Sequence, residues 1–328
     1  MKKFTSLIVI IFISLCCFGA NPANTPKYKL KTPTGNPAEF YESWGYVLTN
    51  RINEYNKDMP LTDVCFFSAD VNTYGDLVDV PDPTKVDIGN ARSHMVVVCS
   101  GRALTHFSID PGYSIRKKLI NDIVKAAKPF DGVNIDFENV PEKDKAHFIT
   151  FLADLRYKLK GKIFSVCVPA RTNEGTYPYK EISKYCDRVF VMVYDEHWSG
   201  SRPGPIASPA WSKKICDYAV KTIPAEKLIM GVPFYGRTWA SKSHSGAWYF
   251  SGANRVMTEN NVKDVTYEND LPKFSYSVNI DVTGYFNDTY SVLNLCRIYE
   301  EAKVRNIGFW RVGQEDPDFW QWIKIKEK

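Results

Sequence analysis

The sequence predicts an α/β protein folded as a closed barrel of eight parallel strands, a (β/α)8 or TIM barrel. Eight short apolar segments recur along the chain, and helical stretches lie between them. Alternating strands and helices favour a parallel sheet that is covered on both faces. The length of 328 residues suits a barrel of this kind, into which eight units close more naturally than into an open sheet.

The eight predicted strands are Glu42 to Leu48, Asp63 to Ala69, Met95 to Ser100, Gly132 to Glu138, Ile163 to Pro169, Arg188 to Tyr194, Leu228 to Phe234 and Ile307 to Val312. The fourth strand lies between two predicted helices, Ser114 to Lys128 and Glu142 to Leu159. A strand in that position belongs to a βα unit of a buried parallel sheet. The longest interval, between the seventh and eighth strands, predicts a short insertion from Ser241 to Asp288 without helical period, and then a last barrel helix from Tyr290 to Lys303.

The amino-terminal segment predicts export. Residues 1–20 resemble a secretory leader, with Lys2 and Lys3 before an apolar run that is shorter than a typical membrane span. Cys16 and Cys17 leave open a second interpretation, in which a lipid-modified Cys attaches the chain to a membrane. We expect a secreted or cell-envelope protein.

The remaining chain divides into two parts. Residues 21–38 are rich in Asn, Pro, Thr and Lys, which suits a flexible tether. Residues 39–328 are expected to form the barrel as a monomer.

Composition narrows the classes of function. The net charge is +5, and the sequence has no basic block and no nucleic-acid-binding motif, so we expect no nucleic-acid partner. Aromatic residues make up 14% of the chain, which suits stacking on sugar rings but also a large core. Six cysteines follow the leader and are expected to be buried thiols. The sequence has no Cys-x-x-Cys and no His/Cys spacing of a metal site, so we expect no metal and no cofactor.

The fourth predicted strand carries the chemistry. In the run from Asp131 to Glu138, polar Asn134, Asp136 and Glu138 share one face because an extended strand has a period of two. Polar side chains inside a buried strand are costly unless they are used. Paired carboxylates, one of them protonated at neutral pH, are what glycosidic bond cleavage needs. The alternative is an edge strand with a solvated acidic face, which the flanking helices disfavour.

This run resembles the D-G-x-D-x-D-x-E signature of glycoside hydrolase family 18, which ends the fourth strand of that family's barrel. Asp131, Gly132, Asp136 and Glu138 match, whereas Asn134 stands where most chitinases of the family have Asp. The run G-V-N-I-D-F-E-N-V is similar to the bacterial branch that includes spore-cortex-lytic and germination-associated N-acetylglucosaminidases.

Three further strand ends resemble the same family. The sixth ends in Met-Val-Tyr194-Asp195, similar to the M-x-Y-D element, and is followed by Trp198. The seventh is similar to G-x-P-x-Y-G-R, which places Tyr235 and Arg237 in a groove, although both can equally be packing residues. The eighth ends at Trp310, which matches the tryptophan that forms the floor of a sugar-binding subsite in that family. It can also be a buried residue of the barrel.

The resemblance implies a retaining glycosidase that uses the substrate's own acetamido group. Glu138 would be the general acid, Asp136 would stabilise the acetamido group, and Tyr194 would donate a hydrogen bond to it. The predicted substrate-binding residues are Asn134, Asp195, Trp198, Tyr235, Arg237 and Trp310. The implied partner is a polysaccharide that contains N-acetylglucosamine, either peptidoglycan or chitin and its oligosaccharides. A catalytically weak or inactive carbohydrate-binding protein of the cell envelope is the alternative.

Overall fold

The computed structural model describes residues 29–241 and 249–327, so the predicted leader lies outside the described residues. Its main feature is a barrel of eight strands, each of which overlaps a predicted one. These strands are β1 (Glu42–Leu48), β2 (Asp63–Val71), β3 (Arg92–Val98), β4 (Gly132–Asp136), β5 (Ile163–Pro169), β6 (Arg188–Met192), β7 (Leu228–Pro233) and β8 (Asn306–Trp310).

The sheet is parallel and closed. Each strand from β1 to β7 pairs with its successor, and β8 pairs with both β7 and β1, which removes both edges. A two-residue strand, Leu77–Val78, pairs antiparallel with the end of β2. The predicted (β/α)8 barrel is therefore confirmed.

Seven α-helices lie in the described part of the chain: α1 (Arg102–Ile109), α2 (Ser114–Ala126), α3 (Lys145–Lys158), α4 (Tyr179–Ile182), α5 (Pro209–Thr222), α6 (Phe250–Glu259) and α7 (Thr289–Glu301). The three helices predicted from the sequence correspond to α2, α3 and α7. The predicted start of the second is a 3-10 turn, Glu142–Asp144, that leads directly into α3.

The insertion between β7 and β8 contains a helix that the sequence did not predict. Strand Arg237–Ala240 pairs antiparallel with Val282–Tyr285. Between these two strands, the chain forms α6 and then a second antiparallel pair, Thr266–Glu268 with Leu271–Lys273. The expectation of no helix there was wrong. The inner face of α6 is formed by Ala253, Val256 and Met257, which do recur at helical spacing, but this stripe is only about one turn long and stands among Gly, Ser and Asn.

The carboxyl-terminal part of the predicted tether packs on the barrel. Ala38 is fully buried and begins a short strand, Ala38–Phe40, that pairs in parallel with Ile323–Ile325. Arg297 of α7 donates hydrogen bonds to the carbonyl oxygens of Thr34 and Asn36. Residues 34–38, which were predicted as the end of the tether, therefore contact the barrel.

The barrel interior is filled by large side chains that need glycine beside them. Trp44, Tyr46 and Phe190 are buried inside the barrel. They belong to a cluster separate from the apolar layer between the barrel and the helices. A Cβ atom at Gly231 would lie 2.7 Å from the Phe190 ring, and one at Gly308 would lie 2.2 Å from it. These two glycines thus make room for Phe190.

The amino end of the barrel holds a buried ionic network. Arg188 donates to both carboxylate oxygens of Glu42 at 2.7 and 2.8 Å, and Arg92 lies 3.0 Å from Glu42 and 2.6 Å from Asp63. Asp63 also lies 2.7 Å from His94 Nε2. Burial alone would raise the pKa of Glu42, but Arg188 and then Arg92 outweigh it and lower the pKa to about 2.

We expect Glu42→Gln to destabilise the fold by about 2 kcal/mol at pH 7, because it leaves the two partly buried guanidinium groups of Arg92 and Arg188 with less counter-charge. The Glu42 carboxylate stabilises the fold fully above its ordinary pKa of 4.5, and this contribution is lost as the pH falls toward about 2. The difference between the variant and the wild type in free energy of unfolding should therefore shrink below pH 4.5. Urea denaturation at several pH values measures it, with the exposed Glu39→Gln as control. Equal stability at pH 7 would contradict the role of the network.

The six cysteines that follow the predicted leader, and the helices as possible membrane spans, can be checked in the structure. Cys65, Cys99, Cys167, Cys186, Cys216 and Cys296 are all buried free thiols, as predicted. Within residues 29–241 and 249–327, no helix has the length and apolar character that a bilayer crossing requires.

Candidate active site

A groove opens at the carboxyl ends of the barrel strands, where the active sites of such barrels lie. It encloses about 320 Å3 and is lined by Asp136, Glu138, Met192, Tyr194, Asp195, Tyr235, Gly236, Arg237, Trp310 and Gln314. The structure thus brings together every predicted site residue except Asn134 and Trp198.

The acid-bearing strand β4 is fixed at its start and on its outer face. Asp131 accepts hydrogen bonds from the Ser93 backbone N–H and hydroxyl at 2.8 and 3.0 Å, which anchors β4 to β3. Phe137 is fully buried and stacks on Phe151 of α3 with ring centroids 5.5 Å apart. Since neighbouring side chains along an extended segment point to opposite sides, Asp136 and Glu138 then point into the groove.

Tyr177 holds the backbone on both sides of Glu138. Its buried hydroxyl donates to the Phe137 carbonyl oxygen at 2.7 Å and accepts from the Val140 N–H at 3.1 Å. The tyrosine is 40 residues away from Phe137 in sequence. It is therefore a positioning residue, because it constrains the short segment that carries Glu138 and contacts no groove atom itself.

We expect Tyr177→Phe to lower kcat about tenfold with little change in KM, because a carboxyl displaced by a fraction of an ångström transfers its proton less efficiently. Loss of the two hydrogen bonds should also destabilise the protein by about 2 kcal/mol. Steady-state kinetics and urea denaturation measure the two effects. A destabilised variant with unchanged kcat would show that the two hydrogen bonds of Tyr177 serve stability alone.

The two carboxyl groups of the groove share an environment that favours protonation. Asp136 is 5% exposed, and burial followed by the charge of Glu138 raises its pKa to about 8. Glu138 is open to the groove, yet burial of its carboxyl followed by the charge of Asp195 raises its pKa as well. The pair therefore retains a proton near neutral pH, as predicted for an acid catalyst.

One oxygen of Asp136 is left without a hydrogen bond to the protein. Its Oδ1 atom is buried and has no hydrogen-bond partner among the described residues. A buried acceptor without a donor costs roughly 1–3 kcal/mol. A ligand N–H in the groove would remove that cost.

The rim of the groove is held by a second polar group. Asp195 Oδ1 accepts hydrogen bonds from the Tyr235 hydroxyl at 2.5 Å and from Arg237 at 2.7 Å. Asp195 has a φ of +57°, a left-handed conformation that is uncommon outside glycine. This backbone turn brings its carboxylate next to both partners, and the structure thereby unites three residues predicted on two different strands.

The aromatic wall consists of Tyr194 and Trp310. The Trp310 ring packs edge-on against Phe67 with centroids 4.8 Å apart, and it also lies against Tyr46. Burial raises the pKa of Tyr194 well above its usual value, so its hydroxyl stays a hydrogen-bond donor. Trp310 is therefore a barrel residue on one side and lines the groove on the other, and its contact with a bound sugar stays a prediction.

The structure places Asn134 beneath the groove and not in its lining, although it was predicted to bind substrate. The residue is fully buried below the groove, where its amide donates to Ser165 Oγ at 2.8 Å and accepts from the Tyr46 hydroxyl at 3.3 Å. These protein partners use both ends of the amide. Asn134 therefore supports the groove floor from beneath.

Trp198 lies outside the groove lining. It is 54% exposed, its carbonyl oxygen accepts from Trp239 Nε1 at 3.1 Å, and Gly200 packs against its ring. The loop after β6 leaves its side chain at the surface rather than beside the paired carboxyls.

Four residues of the site were not predicted from the sequence: Met192, Gly236 and Gln314 in the groove lining, and Tyr177 behind it. Met192 lies two residues before Tyr194 and therefore shares its strand face, so the alternation in the Met-Val-Tyr-Asp run could have revealed it. Gln314 lies four residues beyond Trp310, where only its polar character after a strand end marks it. Tyr177 gave no local signal, because its role depends on a contact across 40 residues.

Glu315 and Asp316, the other acids near this end of the barrel, are structural. Glu315 accepts from the Gly313 N–H and from Trp320 Nε1, at 2.6 and 3.0 Å. Asp316 accepts from the Thr289 N–H at 3.0 Å, at the start of α7.

A closed (β/α)8 barrel with paired, protonatable carboxyls in an aromatic groove defines the class as that of the glycosidases. The sequence model of glycosyl hydrolases family 18 matches residues 95–315. The chain belongs to that family.

Individual comparisons agree with this assignment. The chain is 25% identical to the cortical fragment-lytic enzyme of Bacillus anthracis over 276 residues, which cover 77% of this chain and 61% of that protein. The spore cortex-lytic enzyme SleL of Bacillus cereus has a similar structure, with a TM-score of 0.67, 22% identity and coverage of 91% of this chain and 78% of that one. A chitinase from Bacteroides thetaiotaomicron gives a TM-score of 0.64 at 20% identity, with coverage of 85% and 92%.

The matches do not extend over the full length of the curated relatives. The matched regions cover 51% to 65% of five bacterial glycosylase and cortex-lytic proteins.

Proposed function

We propose that the protein is a retaining glycoside hydrolase that cleaves β-1,4 linkages after N-acetylglucosamine by substrate-assisted catalysis. The observation that carries the proposal is that Asp136 and Glu138 line one groove, and that the Oδ1 atom of Asp136 has no hydrogen-bond partner within the described part of the chain. An N-acetylated sugar offers the N–H donor that Asp136 needs.

Glu138 acts first as the general acid. It transfers its proton to the glycosidic oxygen as the bond to the anomeric carbon breaks, so the leaving sugar departs as an alcohol. The carbonyl oxygen of the 2-acetamido group attacks the same carbon and forms a cyclic oxazolinium ion. Asp136 accepts the acetamido N–H. The one proton that the pair shares leaves through Glu138, so Asp136 is then a carboxylate that stabilises the positive charge developing there.

Glu138 acts second as the general base. It takes a proton from water, which attacks the anomeric carbon and opens the oxazolinium ring, so the carboxyl group is restored to its protonated form. Two displacements at one carbon retain the configuration. Tyr194 donates a hydrogen bond to the acetamido oxygen, and the Trp310 ring supports the apolar face of the sugar.

The proposed substrate is the glycan of peptidoglycan, with chitin and its oligosaccharides as the second candidate. Cortex-lytic enzymes stand among the similar proteins, and so does a chitinase, so both polymers fit the family. Secretion or attachment to the cell envelope, through the leader or a lipidated Cys, would bring the enzyme to such a polymer.

Product analysis tests the proposal. The purified protein and its Glu138→Gln variant are incubated with peptidoglycan and, separately, with chito-oligosaccharides, and the products are identified by mass spectrometry. Muropeptides with N-acetylglucosamine at the new reducing end, formed by the wild type alone, would support a peptidoglycan glucosaminidase. Cleavage of the chito-oligosaccharides alone would indicate a chitinase. Binding without cleavage of either polymer would favour the inactive carbohydrate-binding alternative.

A further inference from the structure

The two ends of the barrel differ in charge. Five loops lead into β4, β5, β6, β7 and β8 at the amino end, and they contain seven Lys or Arg residues against three acids; these loops are residues 127–131, 159–162, 183–187, 223–227 and 302–305. At the carboxyl end, the loops that follow β4, β5, β6 and β8 contain nine acids against four Lys or Arg; these are residues 137–144, 170–178, 193–208 and 311–319. The barrel is therefore positive at the end opposite the groove.

Part of this positive charge is balanced locally. Before β6, Lys184 lies 2.5 Å from Glu181. Before β8, two basic and three acidic side chains line one cavity, namely Lys303, Arg305, Glu39, Glu300 and Glu301. The unbalanced charge is therefore that of the loops before β4 and β5.

This excess charge concentrates where α2 and α3 end. Lys158 of α3 donates to Asn121 of α2 at 3.1 Å, and Lys162 Nζ donates to the Lys128 carbonyl oxygen at 2.9 Å, so the two helix ends and their loops are neighbours. Four lysines and one tyrosine are exposed there, and we call them the basic patch: Lys125, Lys128, Tyr157, Lys158 and Lys160.

Stabilisation of helix ends does not account for the patch. A basic side chain near a helix carboxyl end can bind the carbonyl groups left free there. Lys162 and Lys227 donate to such carbonyl groups in the loops that follow α2 and α4. The side chains of Lys125 and Lys128, by contrast, have no hydrogen bond or ion pair within residues 29–241 and 249–327. Because like charges at one place repel each other, the patch gains from an anionic partner.

We propose that the amino end of the barrel docks through the basic patch on a bilayer that contains anionic phospholipid, with the groove facing away from the membrane. This interaction is a property beyond the proposed hydrolysis and does not depend on it.

Tyr157 favours a bilayer over a polyanion in solution. Its side chain is 71% exposed, and Lys160 Nζ lies 4.8 Å from the centroid of its ring. Lysines attract the anionic lipid headgroups, and a tyrosine among them places its apolar ring and polar hydroxyl at the level of those headgroups. A soluble polyanion would use the charges but would offer no apolar layer to the ring.

The path of the chain agrees with this orientation. The strand Ala38–Phe40 comes directly before β1, which begins at Glu42, so the chain enters the barrel at its amino end. A leader or a lipidated Cys, as predicted from the sequence, would thus be joined to the barrel at the end that carries the patch. The groove at the other end would stay open to a polymer outside the membrane.

Co-sedimentation of the full-length protein with vesicles tests the proposal. Vesicles of phosphatidylcholine alone are compared with vesicles that contain about one third phosphatidylglycerol, in about 0.1 M NaCl, where charges more than about 10 Å apart are screened. An apolar leader would bind both kinds of vesicle, so the difference between them measures the contribution of charge. We expect at least about 100-fold tighter binding to the anionic vesicles, since each lysine of the patch contributes about fivefold.

Two double variants locate the interaction. Lys128→Gln with Lys160→Gln should weaken binding to anionic vesicles about 25-fold, with the fold intact by circular dichroism. Lys143→Gln with Lys263→Gln removes the same charge from exposed positions outside the patch, in the loop after β4 and in the insertion after β7, and should change the affinity less than about twofold. Equal binding of the wild type to both kinds of vesicle, or equal affinity of the two double variants, would overturn the proposal.

Tyr157→Ser distinguishes a bilayer from a polyanion in solution. The variant keeps every charge of the patch, so its binding to inorganic polyphosphate, measured by calorimetry, should equal that of the wild type. Its binding to the anionic vesicles should be about fivefold weaker, because the ring no longer enters the headgroup layer. The same effect of Tyr157→Ser on both partners, or no effect on vesicle binding, would mean that the patch binds polyanions rather than a bilayer.

Discussion

Replacing Glu138 by Gln is expected to lower turnover about 100-fold or more while the fold remains intact. The amide matches the carboxyl group in shape but has no proton to give to the glycosidic oxygen and cannot activate water. Glu138 lies past the end of β4 and is open to the groove, so its replacement breaks no buried hydrogen bond of the described structure. Initial rates on the polymer that proves to be cleaved measure the effect, and urea denaturation checks the fold.

Glu315→Gln is the matched control for this experiment. It makes the same chemical change in another carboxyl at the same end of the barrel, but Glu315 is bonded to Gly313 and Trp320 and does not line the groove. Its turnover should stay within a fewfold of the wild type. If Glu138→Gln retains the rate of this control, Glu138 is not the general acid.

Asp136→Asn is expected to reduce kcat by a similar factor and, in addition, to change the pH dependence of activity. In the wild type, the pair keeps its last proton up to about pH 8, where the basic limb of the kcat/KM profile should fall. Without the Asp136 carboxyl, the proton is held by Glu138 alone, and the limb should move to lower pH. A profile with the same basic limb in both proteins would show that the two groups do not share a proton.

The same variant should become more stable than the wild type as the pH rises. The pKa of Asp136 is raised from 3.8 to about 8 in the folded protein, so its contribution to stability is fully present below pH 3.8 and is lost as the pH rises toward 8. Asparagine carries no charge and avoids that loss. The difference in free energy of unfolding should therefore favour Asp136→Asn increasingly between pH 4 and pH 8, as urea denaturation would measure. A difference that does not vary with pH would contradict the raised pKa.

The barrel could be predicted from sequence because each of its strands is buried on both faces. Segments such as Ile163–Pro169 and Leu228–Pro233 are continuous apolar runs, and their bounds agree with the predicted ones to within one residue. The acids at the end of β4 and the Tyr194–Asp195 pair stand at strand ends, so their meeting follows from parallel strand order. Helix α6 was missed because its apolar stripe, Ala253, Val256 and Met257, is short and stands in a segment rich in Gly, Ser and Asn.

What the sequence could not predict depends on packing between distant segments. Asn134 shares a strand face with Asp136, but only the structure shows that Tyr46 and Ser165 enclose it beneath the groove. The hydrogen bond from Tyr177 to Phe137 and the one between His106 and Asp144 each join residues about 40 positions apart. Local pattern carries no information on such contacts, since they result from how helices and loops settle on the finished barrel.

The stereochemistry of the first product tests the proposed mechanism most directly. Proton NMR spectra are recorded in the first minutes after the enzyme is added to a cleavable N-acetylglucosamine oligosaccharide, before the anomers of the product interconvert. The proposed two-step route, in which the acetamido group forms the intermediate over Asp136, predicts that the β-anomer appears first and then mutarotates. Initial release of the α-anomer would mean a single displacement by water, and would contradict the roles assigned to Asp136 and Glu138.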